Sequence, residues 1–231
     1  MAPGVTDTLA LVLQAGPRLL AGLSATALLA GASLLFGLLL GLLCGLVRAV
    51  RLRYLAGLVA AYVHVVRGTP FVVQLYVAYF VLPRLGVRWL ELDAWTAAIA
   101  ALSFYAGAYA TEIVRGAVEA VPSSQAEGAA ALGLVWWQRA WLVILPQAAR
   151  AALPSLAGLA AVVVKTTSVV SVVGISELLR AGQNLVLSQP RHLMLIQGMV
   201  ALIYLAACLP LFRLARWLEQ RRGLKGWVSN Q

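Results

Sequence analysis

From Leu19 to Val47 the chain carries no charged side chain, and Arg18 and Arg48 close the run at its two ends. A helix rises 1.5 Å per residue, so about 20 apolar residues cross a hydrocarbon core of roughly 30 Å. This run alone is long enough to span a bilayer. The rest of the chain is of the same kind, since 62% of its 231 residues are hydrophobic and 11% are charged. Soluble domains sit near 45–50% apolar and about 25% charged. The fold expected is an all-α integral membrane helical bundle, a single transmembrane domain over 1–231 with no separate soluble domain.

Further apolar runs divide the chain into about five transmembrane helices. The first, from Leu19 to Val47, contains Gly37-x-x-x-Gly41-x-x-x-Gly45, which sets three glycines on one face where a neighbour can pack closely. The second runs from Tyr54 to about Leu82 and is interrupted at Arg67-Gly68-Thr69-Pro70, because proline breaks the helix ladder and disfavours helix in the residue before it. The third covers about Ala94 to Ala120, the fourth about Ala151 to Val173 and the fifth about His192 to Leu214, with an external excursion at 176–191. Cys44 and Cys208 lie alone in apolar stretches, as packed small residues rather than metal ligands or disulfide partners.

The formal charge of +10 does not form a nucleic-acid patch, because the basic residues cluster at the ends of apolar runs. With the N-terminus outside and the C-terminus cytoplasmic, ten basic residues (Arg48, Arg51, Arg53, Arg139, Arg150, Arg213, Arg216, Arg221, Arg222 and Lys225) face the cytoplasm. Five (Arg18, Arg84, Arg88, Arg180 and Arg191) face outward, the bias of the positive-inside rule. No Lys or Arg precedes Arg18, so the basic start of a cleavable signal peptide is missing and the first helix is expected to stay.

The segment at about 121–147 is too polar to lie in lipid throughout and falls on the cytoplasmic side. Ser124-Gln125-Ala126-Glu127 has the spacing of a capping box, which predicts a short helix starting at Ser124. Gly133 allows a turn, and Val135 to Ile144 can form a second short helix ending at Leu145-Pro146. Trp136, Trp137 and Trp141 would suit an interfacial anchor equally well.

The pattern of this segment separates the two readings. Glu127-Gly128-Ala129, then Gly133, then Val143-Ile144-Leu145-Pro146 closely resembles the EAA loop of the membrane subunits of ABC importers, E-A-A-x3-G-x9-I-x-L-P, with Gly128 and Val143 departing from the usual alanine and isoleucine. In that family the loop is a coupling helix that docks on a cytoplasmic ATPase, which marks Glu127, Gly128, Ala129, Gly133, Leu145 and Pro146 as docking candidates. Arg67 to Leu75 (RGTPFVVQL), Ser103 to Gly116 (SFYAGAYATEIVRG) and Lys165-Thr166-Thr167-Ser168 resemble motifs of polar amino acid permeases, with Thr166 standing where aspartate is frequent. The resemblance implies an importer subunit that works by alternating access. Its implied partners are two ATPase subunits, a second permease subunit, identical or paralogous, and an extracytoplasmic amino acid-binding protein in a bacterial inner membrane.

No G-x4-G-K-[ST] occurs, so ATP and Mg would be bound by the partner ATPase and this chain is not an enzyme. The residues costly to insert into lipid, at about 2.5–3.5 kcal/mol per charge, are Glu112, Arg115 and Lys165. Glu112 and Arg115 are three apart and can pair with each other, or can face a translocation cavity. Lys165, with Thr166 and Ser168 beside it, either packs at a helix break or lines the path. Arg67, Thr69 and Gln74 at the break join this candidate set, Gln74 being equally able to bond a neighbouring helix. The rival function, an ion-coupled secondary transporter or channel subunit, would leave the cytoplasmic segment without a role.

Overall fold

The computed structural model describes residues 5–50 and 53–220; Arg51, Arg221, Arg222 and Lys225 lie outside the described residues. Among these the chain is helical without strands. Its α-helices are α1 (Val5–Ala49), α2 (Arg53–Gly68), α3 (Phe71–Tyr76), α4 (Ala94–Glu119), α5 (Ser123–Ala131), α6 (Trp136–Arg139), α7 (Leu145–Thr166), α8 (Leu178–Ser188) and α9 (Leu193–Gln220). Four helical runs are long and apolar enough to cross a membrane: Leu11–Ala49, Ala94–Glu119, Trp136–Val173 and Pro190–Gln220. The broken pair Tyr54–Gly68 and Phe71–Leu85 makes a fifth. The expected break at Thr69-Pro70 is there, and the hydroxyl of Thr69 donates to Val65 O at 2.8 Å, taking one carbonyl that the break frees.

The described residues fall into two compact units. The first takes Met1–Ser33, Phe71–Leu102 and Val162–Pro210. Leu11, Ala15 and Leu19, one helical stripe of α1, are buried with Leu178 and Leu185 of α8 and with Ile196 and Val200 of α9. Glycines let these helices meet: a Cβ on Gly22 would stand 2.9 Å from Leu178 Cα. The expected external excursion is therefore a helix packed on its own unit. Asp93 starts α4 by accepting from Trp95 N at 3.0 Å and from the Thr96 hydroxyl, bonds that hold its carboxyl below the usual range, the Thr96 hydroxyl most of all.

The second unit takes Leu34–Pro70, Ser103–Ala161 and Leu211–Gln231. Here Gly37, Gly41 and Gly45 of α1 face Ala106, Ala110 and Val114 of α4 at successive turns. A Cβ on Gly37 would lie 2.7 Å from Ala106 Cβ, and one on Gly45 would lie 2.6 Å from Val114 Cβ. Ala148 and Ala152 of α7 are buried beside Ala117. Small residues at these contacts are what membrane helices use in place of a hydrophobic driving force.

Two expectations are corrected. Pro122, not Ser124, stands at the N-cap of α5 and makes no side-chain cap bond, so Ser124 lies inside the helix and the capping box with Glu127 does not form. Proline fixes the backbone angle one residue ahead of a helix and moves the start forward. The second short helix does not stop at Pro146 either, and the fourth span begins at Trp136 rather than Ala151. The intervening turn at 140–144 is a π turn in which Leu145 N reaches Ala140 O. A proline ring strikes the carbonyl four residues back, and a wider turn just ahead makes room for it. The same device precedes Pro83, where Leu82 N reaches Val77 O.

Gly41→Ala should destabilise the protein by about 1–3 kcal/mol through overpacking, because the new Cβ would overlap Ala110 Cβ. Gly31→Ala, whose Cβ would meet nothing within 4 Å, should be neutral or gain up to about 1 kcal/mol of helix propensity. Thermal unfolding in detergent measures both.

Candidate functional site

Three groups of the residues marked from sequence are placed by the fold. The first is the segment around Glu127. α5 ends in a Schellman closure, with Gly133 at φ +78°, Gly133 N on Ala130 O at 2.9 Å and Leu134 N on Ala129 O at 3.2 Å. Only glycine takes that angle without strain. The chain then turns into α6, where Val135 N donates to Gln138 Oε1 at 3.0 Å, and α5 packs back against α6 and the π turn. Ala129 is buried in that packing, Leu145 is half-buried, and Glu127, Gly128 and Pro146 are exposed. Leu132 is 82% exposed and Trp136 71%, so the tip presents apolar side chains, with the exposed Glu127 in the second turn of α5. A Cβ on Gly128 would meet nothing within 4 Å.

The second group belongs to the second unit and gathers around Glu112. One carboxylate oxygen accepts from Arg48, and the other accepts from Arg115 Nη2 at 2.9 Å and Nε at 3.2 Å. Arg115 also reaches Glu119. Arg67 lies over the ring of Tyr109, 5.1 Å from its centre, and His64 Nδ1 donates to Ala60 O at 2.7 Å. Arg48, His64, Arg67, Tyr109, Glu112 and Arg115 line one cavity of about 540 Å³. The pairing of Glu112 with Arg115 expected from their spacing is present. Arg48, which the sequence places in a basic loop, is the larger surprise, for it ends α1 and returns to α4.

The third group belongs to the first unit. Lys165 and Thr166 end α7, where the helix tightens into a 3-10 turn over Thr167–Val173. Hydroxyls here bond back to carbonyls three or four residues earlier: Thr166 to Val162 O at 2.9 Å, Thr167 to Val164 O at 2.7 Å and Ser168 to Lys165 O at 2.8 Å. α3, which carries Gln74, packs on this 3-10 turn. Lys165 and Ser168 line a cavity of about 320 Å³ with Gln197 and Tyr204 of α9. Sequence reasoning passed over Gln197 and Tyr204, although their seven-residue spacing sets both on one face of a helix.

Tyr204 is held from behind. Its hydroxyl donates to Glu177 Oε2 at 2.7 Å, and the same carboxylate accepts from Leu179 N and Arg180 N, both at 2.8 Å, at the start of α8. The hydroxyls of Thr26 and Thr167 stand beside Tyr204, and Thr26 also accepts from Leu178 N at 3.2 Å. Glu177 is fully buried. Burial raises its carboxyl above the ordinary value, and the three donors offset only part of that.

The family described as "Binding-protein-dependent transport system inner membrane component" matches residues 37–223. The glutamine transport system permease protein GlnP of Escherichia coli (strain K12) is 38% identical over 89% of this chain and 93% of its own length. The L-cystine transport system permease protein TcyB of Bacillus subtilis (strain 168) is 33% identical over 89% and 86%. Among solved structures, an amino acid ABC transporter crystallised with histidines matches with a TM-score of 0.84 at 30% identity, covering 93% of this chain and 98% of that one. The MetNI methionine ABC transporter shares the fold, with a TM-score of 0.70 at 20% identity over 87% and 95%. With these matches spanning nearly its whole length, the chain belongs to the inner membrane components of binding-protein-dependent transport systems, as a multi-pass ABC importer permease.

Proposed function

We propose that this permease carries polar amino acids across a bacterial cytoplasmic membrane, with its N-terminus outside and its C-terminus in the cytoplasm. It works with two ATPase subunits that bind ATP and Mg, a second permease subunit and an external binding protein. The observation that carries the reading is the α5 tip. A short helix, closed at Gly133 and ringed by exposed Leu132, Val135, Trp136 and Trp137, is an apolar knob of the kind a cleft on another protein covers. The functions of the relatives, glutamine and cystine transport, support an amino acid as the solute.

The knob residues Glu127, Gly128, Ala129, Gly133, Leu145 and Pro146 form or flank this docking element. Closure of the ATPases on ATP pulls it, and the spans rock to open the path to the other side. The path wall in the first unit is made by Lys165, Ser168, Gln197 and Tyr204, with Thr166 and Gln74 on the elements that flank it. Lys165 meets the carboxylate of the solute and the amide and hydroxyls orient the rest, since a few placed polar groups in a mostly apolar pocket give orientation. Arg67, Thr69, Glu112 and Arg115 line or border the second cavity, where Glu112 is already committed to arginine.

Glu127→Arg and Gly133→Val should each lower solute-stimulated ATPase activity of the assembled importer at least tenfold while membrane insertion is kept. Gly128→Ala should retain it. Unchanged stimulation in the first two variants would remove the docking assignment. Lys165→Ala should raise the KM for uptake or cut its rate about tenfold without changing the yield of assembled complex; normal uptake kinetics would return Lys165 to a packing role. Tyr204→Phe leaves a buried carboxylate short of one donor and should cost about 1–3 kcal/mol in thermal unfolding, with Glu177→Gln relieving part of the loss in the double variant.

A further inference from the structure

The charges around Glu112 do not balance. Three guanidinium groups, Arg48, Arg67 and Arg115, share the cavity, and the two nearby carboxylates, Glu112 and Glu119, are taken by Arg48 and Arg115. Among the described residues Arg67 makes no ion pair within 4 Å; it rests on the face of Tyr109. His64 beside it spends Nδ1 on Ala60 O. The cavity thus holds one guanidinium that is stacked on Tyr109 and stands in the field of Glu112 without a close carboxylate of its own, at about 540 Å³ of volume, within the range of roughly 300–1,000 Å³ found for small-molecule sites.

The helix that carries both residues has a second property. Tyr54, Leu58 and Val65 of α2 are 84%, 69% and 64% exposed, respectively, and their spacing sets them on one stripe, while Val63 on the opposite face is buried. His64 falls on the flank between that stripe and the buried face, and Arg67 lies about 160° round the helix from the stripe, next to the buried face. An amphipathic helix with an exposed apolar stripe is suited to lie against lipid. Basic pockets between transmembrane helices are where anionic headgroups bind.

We propose that this cavity binds the phosphodiester headgroup of an anionic phospholipid, with Arg67 as its ligand and the acyl chains along the exposed side of α2. Arg48 and Arg115, held by Glu112, shape the floor of the site and add positive potential without being spent on the ligand. Guanidinium suits the task because its planar fork matches two phosphate oxygens at once. The site does not depend on which solute the importer carries.

The test uses the importer purified in its native assembly and washed of loosely held lipid. Short-chain phosphatidylglycerol, short-chain phosphatidylcholine and inorganic phosphate are titrated separately, with bound lipid read by native mass spectrometry and stabilisation read by thermal shift. Phosphatidylglycerol should be retained in preference to phosphatidylcholine. Arg67→Gln should weaken phosphatidylglycerol at least fivefold while leaving phosphatidylcholine unchanged, and Arg67→Lys should recover part of the loss. Equal retention of the two lipids, or no change in Arg67→Gln, would overturn the site. Displacement of phosphatidylglycerol by inorganic phosphate at equal concentration would show a free-anion site and overturn the lipid assignment.

Discussion

The close approach of α1 and α4 is the contact on which much of the second unit depends. Gly37, Gly41 and Gly45 let the two backbones meet at Ala106, Ala110 and Val114. Arg48 follows Gly45 by less than one turn and Glu112 precedes Val114 by two residues, so the same closeness brings guanidinium to carboxylate. Bulk at Gly45 would part the helices and separate Arg48 from Glu112, which would keep only Arg115 of its own helix, and unpaired charge in a membrane is costly. Packing and electrostatics here are one interaction seen at two positions along the same pair of helices.

The first unit answers the same medium with neutral groups. Where α7 tightens into a 3-10 turn, the hydroxyls of Thr166, Thr167 and Ser168 bond back to carbonyls of the preceding turn. Backbone irregularity in a membrane is tolerated where it is satisfied inside the protein or borders a cavity, and here both conditions hold. Glu177 then fixes Tyr204 through a bond to a carboxylate that is itself anchored on two backbone amides. The cavity wall is rigid on the side of α9 because its support is buried.

The sequence was most readable where one residue type decides the matter locally. Apolar runs showed the spans, Gly37-x-x-x-Gly41-x-x-x-Gly45 showed a close contact, Thr69-Pro70 showed a break, and Gly133 showed a turn. Arg48 with Glu112, 64 residues apart, left no local trace, and its basic neighbours Arg51 and Arg53 made it look like part of a loop. Tyr204 with Glu177 was hidden for the same reason: each residue is unremarkable until the helices are packed. The capping box at Ser124 failed because Pro122 had already fixed the entry to α5, and Pro146 failed as a stop signal because a π turn ahead of it absorbed the ring.

That π turn has a consequence for how the knob is aimed. Each residue of an α-helix advances the side chains by about 100°, and a π turn differs from a regular one by a single extra residue. The one surplus residue within 140–144 therefore sets the angular phase between the docking tip and the long span that follows it. Shortening this stretch by one position would leave hydrophobicity, length and nearly all contacts intact, yet would swing the handle roughly a quarter-turn away from whatever grips it.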